Sequence, residues 1–151
     1  MADGPLVGIL VGSESDRERM QGATTALDEA GVGYEFEIRS AHRTPDAVAE
    51  YARSARDRGL RVLICGAGLS AALPGAVAAY TELPVIGVPM TSSKTAAGGL
   101  DAILSIVQMP PGVPVACVSL NGARNAAILA AKILAQGGGY PAGADGPATA
   151  V

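Results

Sequence analysis

A chain of 151 residues with a formal charge of −3 and nearly half of its residues apolar has the size of one domain with a substantial core. It has no Lys/Arg cluster of the kind a nucleic-acid surface needs, no apolar run approaching the ~20 residues of a membrane span, and no signal peptide in Met1 to Pro5. The expected setting is cytoplasmic, with neither nucleic acid nor membrane as partner. Cys65 and Cys117 are too few and too far apart for a disulfide framework or a zinc site and read as small buried apolar residues. With only five aromatic residues, the core is built from Ala, Val, Leu and Ile, which suits helices packed closely on a parallel sheet.

Leu6 to Val11 is a short continuous apolar run, the pattern of a strand buried on both faces. It opens onto Gly12-Ser13-Glu14-Ser15-Asp16, followed by a helical pattern from about Arg17 to Ala30 that Gly31 ends. Two readings of this loop stand side by side. The Ser13 and Ser15 hydroxyls and the first helical amides can cradle a phosphate, or Ser15 or Asp16 simply caps the helix. A second strand, Tyr34 to Ile38, leads into Ser40-Ala41-His42-Arg43-Thr44-Pro45, which holds the only histidine. Imidazole both takes and gives a proton near neutral pH, and the adjacent guanidinium suits a carboxylate or phosphate. A lone turn histidine is also often a surface or packing residue. Thr44 is placed to cap the next helix and Pro45 to fill its first position.

That helix is predicted from Pro45 to about Arg58 and closed by Gly59. Arg61 to Cys65 is a third strand, opening onto Gly66-Ala67-Gly68 and Leu73-Pro74-Gly75, with a small-residue helix from Gly75 to Tyr80. Leu83 to Pro89 is a fourth strand bracketed by prolines. Met90 to Gly99, rich in Thr, Ser, Ala and Gly, is read as a mobile or ligand-covering loop. Leu100 to Val107 is a helix stopped by Gln108 to Gly112, Val113 to Leu120 a fifth strand, and Asn121-Gly122 a turn into a helix from Ala123 to Ala135. That last helix is apolar almost all round, so it is expected in a subunit interface or under other elements. The domain is taken as residues 1–136, and the Gly/Pro/Ala-rich tail 137–151 as disordered.

Five strands alternating with helices imply parallel pairing and right-handed crossovers. In the flavodoxin-like order 2-1-3-4-5, a three-layer αβα sandwich, the loops at residues 12–16, 40–45 and 66–75 leave adjacent strands at one edge and converge on one crevice. The chemistry on offer is an anion cradle, one proton-transfer group, one cationic fork and a Gly-lined hollow. A metal-ligand cluster, a Gly-x-Ser-x-Gly elbow and a Walker-type loop are missing from the sequence.

Taken together, Gly12 to Asp16, Ser40 to Pro45, Gly66-Ala67-Gly68, Leu73-Pro74-Gly75, Pro84 to Pro89 and Ser105 to Pro110 resemble the N5-carboxyaminoimidazole ribonucleotide mutase family of purine biosynthesis over roughly residues 6 to 135. The resemblance implies a homo-octamer working on an imidazole ribonucleotide and CO2 without metal, nucleotide or organic cofactor. It implies His42 as general acid/base, Ser13 and Arg43 on the phosphate, and Asp16 on ribose hydroxyls. Ser15, Ser40, Gly66, Ala67 and Gly68 are implied as further substrate contacts, and so are Leu73, Ser92, Met109 and Pro110.

The sequence departs from the bacterial pattern at Ala72, where a second histidine is usual. Leu69-Ser70-Ala71 is closer to the animal-type branch, the loop after Pro89 is longer, and the tail replaces a helical extension. The first reading is the mutase, favoured by Ser105 to Pro110. The alternatives are a carboxylase using CO2 directly on 5-aminoimidazole ribonucleotide, a relative that carboxylates another heteroaromatic ring, and a non-catalytic phosphosugar-binding module.

Overall fold

A computed structural model describes residues 4–137 of the chain. The disordered tail expected at 137–151 lies outside the described residues, apart from Gly137. Five parallel strands form one sheet in the order β2-β1-β3-β4-β5, the order expected from the sequence. The strands are β1 (Val7–Val11), β2 (Tyr34–Ile38), β3 (Val62–Gly68), β4 (Val85–Met90) and β5 (Ala116–Cys117). The helices are α1 (Gln21–Glu29), α2 (Pro45–Ser54), α3 (Leu73–Ala78), α4 (Leu100–Val107) and α5 (Ala123–Ala135).

Side chains of a strand alternate between faces, and the core follows that period. Val7, Ile9 and Val11 of β1, Val62 and Ile64 of β3 and Ile86 and Val88 of β4 meet α1 and α5 on one side. Leu10, Leu63, Cys65 and Val85 meet α2 and α3 on the other, where Ala102 and Ile106 bring in α4. Small residues set the spacing: α5 presents Ala123, Ala126, Ala127 and Ala130 to this core, all buried. Only that side is buried: Arg124, Asn125, Ile128, Lys132 and Ala135 are exposed, so within one chain α5 is an outer layer over the sheet and is not covered by other elements. Cys65 is buried, whereas Cys117 is only half-buried.

β2 is one of the two edge strands and is half-buried rather than enclosed. Tyr34 and Phe36 pack against the α1 side, while Glu35 faces α2 and accepts from Tyr51 Oη at 2.6 Å and Arg58 at 2.7 Å. Charges on an edge strand blunt it against pairing with a second sheet.

Several boundaries differ from expectation: α2 ends at Ser54, short of Arg58, α3 runs Leu73–Ala78 where Gly75 to Tyr80 was expected, and β4 runs Val85–Met90 where Leu83 to Pro89 was expected. The first helix begins at Gln21, not Arg17, because two short 3-10 turns, Glu14–Asp16 and Glu18–Met20, come first. In a 3-10 turn residues three apart eclipse, and there Arg17 Nε meets Glu14 Oε1 at 2.6 Å. The third strand continues through Gly66-Ala67-Gly68, which pair with Val88, Pro89 and Met90. Pro89 lies inside β4, next to the side where β5 has already ended, so no ladder bond is lost at its nitrogen. The fifth strand keeps only Ala116 and Cys117.

Candidate active site

The carboxyl edge of the sheet carries the loops singled out above. Val11 pairs with Ile38 on one side and Gly66 on the other, and the Arg39 amide extends the first ladder by donating to the Val11 carbonyl at 2.8 Å. Ser40 is thereby delivered against Gly12. A Cβ placed on Gly12 would lie 3.8 Å from Ser40 Cα and 4.0 Å from its Oγ. The start of the loop after β1 and the start of the histidine turn after β2 are therefore neighbours.

The histidine turn is closed on itself. The Thr44 amide donates to the Ser40 carbonyl at 2.8 Å. The Ser40 amide donates to Thr44 Oγ1 and the Thr44 hydroxyl returns to the Ser40 carbonyl, each at 3.1 Å. Thr44 does occupy the cap position of α2, but its hydroxyl makes no side-chain cap bond, because it is spent on Ser40. The Arg43 amide donates to Ser40 Oγ at 3.2 Å, leaving that hydroxyl a proton to give. With the turn so fixed, His42 and Arg43 project into solvent, both exposed.

On the β1 loop, Ser13 caps the first 3-10 turn: its Oγ accepts from the Ser15 amide at 3.3 Å and lies 3.0 Å from the Ser15 hydroxyl. The cap is thus Ser13 rather than Ser15 or Asp16, and the amino end of α1 lies beyond this loop. Burial pushes the Asp16 carboxyl above its ordinary value of 3.8, partly offset by the Arg19 guanidinium.

β3 contributes Gly66, Ala67 and Gly68 at the same edge. Without side chains, the two glycines accept what would otherwise collide. A Cβ on Gly66 would sit 2.8 Å from Met20 Sδ and 3.3 Å from Met90 Sδ, and one on Gly68 would be 2.9 Å from the Met90 carbonyl. Met20 ends the turns after Ser13, and Met90 ends β4 just before the loop holding Ser92, so two buried thioethers meet over Gly66 beneath the edge. Ser92 is exposed on that loop, its amide donating to Thr95 Oγ1 at 2.6 Å. Beyond Gly68, Leu69 holds a left-handed φ of 56° and is 44% exposed. A bulky residue there is unusual, and nothing in its sequence context announced it.

The remaining expected residues are elsewhere. Leu73 is 3% exposed, with its side chain in the core cluster of Leu10 and Val48. Ala72 is half-buried just before α3. Met109 and Pro110 line a cleft of about 1430 Å³ with Arg53, Tyr80 and Pro84, formed where α2 ends and β4 begins, and a Cβ on Gly75 would lie 3.0 Å from the Met109 sulfur. That cleft opens at the opposite edge of the sheet from His42. Within one chain Met109 and Pro110 do not join the histidine turn. Among the described residues, no group of three His, Cys, Asp or Glu side chains could hold a metal ion, and no helix is long and apolar enough to cross a membrane.

A parallel sheet in this order, with hydroxyls, a carboxylate, an imidazole and a guanidinium on the loops of its carboxyl edge, defines a flavodoxin-like α/β protein. The family profile described as AIR carboxylase matches residues 6–139, and the chain belongs to that family. It is 57% identical over 130 residues to the N5-carboxyaminoimidazole ribonucleotide mutase of Thermotoga maritima, covering 86% of this chain and 75% of the relative. It is also 57% identical over 133 residues to the phosphoribosylaminoimidazole carboxylase of Schizosaccharomyces pombe, but spans only 24% of that longer protein against 88% of its own length. The crystal structure of Treponema denticola PurE matches with a TM-score of 0.75 at 36% identity, covering 87% of this chain and 81% of that one.

Proposed function

We propose that this protein is an N5-carboxyaminoimidazole ribonucleotide mutase, moving CO2 from the exocyclic nitrogen to C4 of the imidazole ring. The observation that supports the reading most is the closeness of Ser40 to Gly12, because the loops that leave those two positions carry His42 and Arg43 on one side and Ser13, Ser15 and Asp16 on the other. The identity to relatives of that name supports it. Ser13 and Arg43 hold the phosphate, the cationic fork matching its oxygens, and Asp16 accepts from the ribose hydroxyls. Ser15, Ser40 and the Gly66 to Gly68 backbone line the ring's path towards Ser92. From β2 to β4 is three strand spacings, about 14 Å.

His42 moves the protons. The N–C bond of the carbamate breaks, CO2 departs, and the exocyclic nitrogen takes a proton from the imidazolium. C4 then attacks the retained CO2, forming a C–C bond and an sp3 carbon. The C4 proton returns to the imidazole and aromaticity is restored, so no net proton is consumed. Retaining CO2 requires a dry enclosure, and His42, Arg43, Ser15 and Ser92 are all exposed in the single chain. The enclosure comes from a second copy, whose Met109-Pro110 turn completes the site. Leu100, Leu104 and Val107, 47%, 46% and 50% exposed along one side of α4 and leading to that turn, supply the apolar contact. The assembly is a homo-oligomer, an octamer by the family resemblance.

The test is turnover of purified protein with each imidazole ribonucleotide, with and without bicarbonate, following carboxylation at C4. Consumption of the N-carboxylated ribonucleotide without added bicarbonate is the expected result. One observation favours a second reading. Ala72 stands where the resemblance places a histidine, and direct carboxylation of 5-aminoimidazole ribonucleotide dependent on bicarbonate would establish that reading instead.

A further inference from the structure

The loop between β4 and α4 is tied at its neck by a residue that the reading above does not use. Asn121, in the turn between β5 and α5, makes three bonds to the exit of β4. Its amide donates to the Pro89 carbonyl at 2.7 Å, its Oδ1 accepts from the Thr91 amide at 3.0 Å, and its Nδ2 donates to Thr91 Oγ1 at 2.8 Å. The far end of the loop returns to the same place. A Cβ on Gly99 would lie 2.6 Å from Leu120 Cδ2 and 3.1 Å from Thr91 Cγ2. Residues 91 and 99 are therefore pinned together against residues 120 and 121.

The local backbone is arranged to put Asn121 there. The Val118 amide bonds the Gly87 carbonyl and the Asn121 amide bonds the Pro89 carbonyl. The chain after β5 thus advances three residues while β4 advances two, the count of a β-bulge, which re-aims a side chain. Asn121 holds φ at 56°, a left-handed conformation that asparagine tolerates better than most residues. Within the loop, Ala97, Gly98 and Gly99 have φ of 47°, 68° and 104°, so its second half owes little to regular structure.

From this we infer that Asn121 is a positioning residue: by clamping Thr91 it fixes where Ser92 stands at the carboxyl edge. The inference rests on the proposed role of Ser92 in holding the ribonucleotide. It concerns only the ordering of the loop and its effect on binding.

Two variants test it in the intact assembly. Asn121→Gly keeps the left-handed backbone without strain and removes both side-chain bonds. Asn121→Asp keeps Oδ1 for the Thr91 amide and lets the Thr91 hydroxyl donate to the second oxygen. In Asn121→Gly, amide hydrogen exchange across residues 91–99 is expected to speed up about 10-fold or more, from two lost neutral hydrogen bonds. KM for the ribonucleotide rises about 10-fold, kcat changes less than KM, and the melting temperature falls by only a few degrees. Asn121→Asp restores most of both. Unchanged exchange at 91–99 in Asn121→Gly overturns the clamp, as does a loss confined to kcat and melting temperature. Faster exchange with an unchanged KM overturns the link to Ser92. If the wild-type protein turns over neither ribonucleotide, the proposed function fails and the exchange measurement alone decides the clamp.

Discussion

Replacing His42 by Asn separates proton transfer from everything else the turn does. The bonds that shape the turn run through Ser40 and Thr44, and the imidazole is exposed. An exposed substitution of this kind shifts stability by no more than about 0.5 kcal/mol, so the melting temperature should stay within a degree or two of wild type. Phosphate and ribose are held by other side chains, so ribonucleotide affinity, measured by calorimetry, should change less than about threefold, under 1 kcal/mol. Proton transfer by a placed side chain contributes about 10²- to 10⁴-fold, or roughly 3 to 5 kcal/mol of barrier. The amide of asparagine cannot supply it. Steady-state turnover should therefore fall by about that factor with KM little changed. A variant within threefold of the wild-type rate would refute the assignment of His42, and one that binds as poorly as it reacts would relocate it to the binding set.

Arg43→Ala should act in the complementary way, weakening ribonucleotide binding about 10- to 100-fold through loss of a charge-assisted bond. An unchanged dissociation constant contradicts the phosphate role. Asp16 has a raised folded value because burial disfavours its charge, so its stabilising share is present below about 3.8 and is lost as pH rises through the folded value. Asp16→Asn should therefore raise the melting temperature of the free protein at neutral pH but not at pH 3. It should also abolish the loss of ribonucleotide affinity that wild type shows as the carboxylate protonates on acidification; the same pH profile in both proteins would refute this. Leu104→Glu, on the exposed strip of α4, should reduce the assembly mass by light scattering and lower turnover with it. Full activity in a dissociated chain would disprove a shared site.

The sheet was legible because its strands are short apolar runs separated by helical patterns with glycine ends, and parallel pairing with right-handed crossovers leaves few orders open. The histidine turn was legible for the same reason: its place after β2 follows once the order is known. What could not be read depends on partners distant in sequence. Gly66-Ala67-Gly68 reads as a loop until Val88 to Met90 lie beside it. Arg17 reads as helix, but it stands between two 3-10 turns with its guanidinium on the Glu14 carboxylate. Thr44 reads as a cap until Ser40 claims its hydroxyl. Met109 and Pro110 carry a family resemblance, but no periodicity tells which edge of the sheet they reach.

The two thioethers over Gly66 give the carboxyl edge a common footing. Met20 arrives from the serine side and Met90 from the Ser92 side, and both rest in the one notch that a missing β-carbon leaves in the central strand. A methyl group at residue 66 would press on both sulfurs at once, 2.8 Å from that of Met20 and 3.3 Å from that of Met90. The absent side chain at residue 66 thus serves twice: it seats both sulfurs beneath the edge, and it leaves bare backbone along the path proposed for the ring.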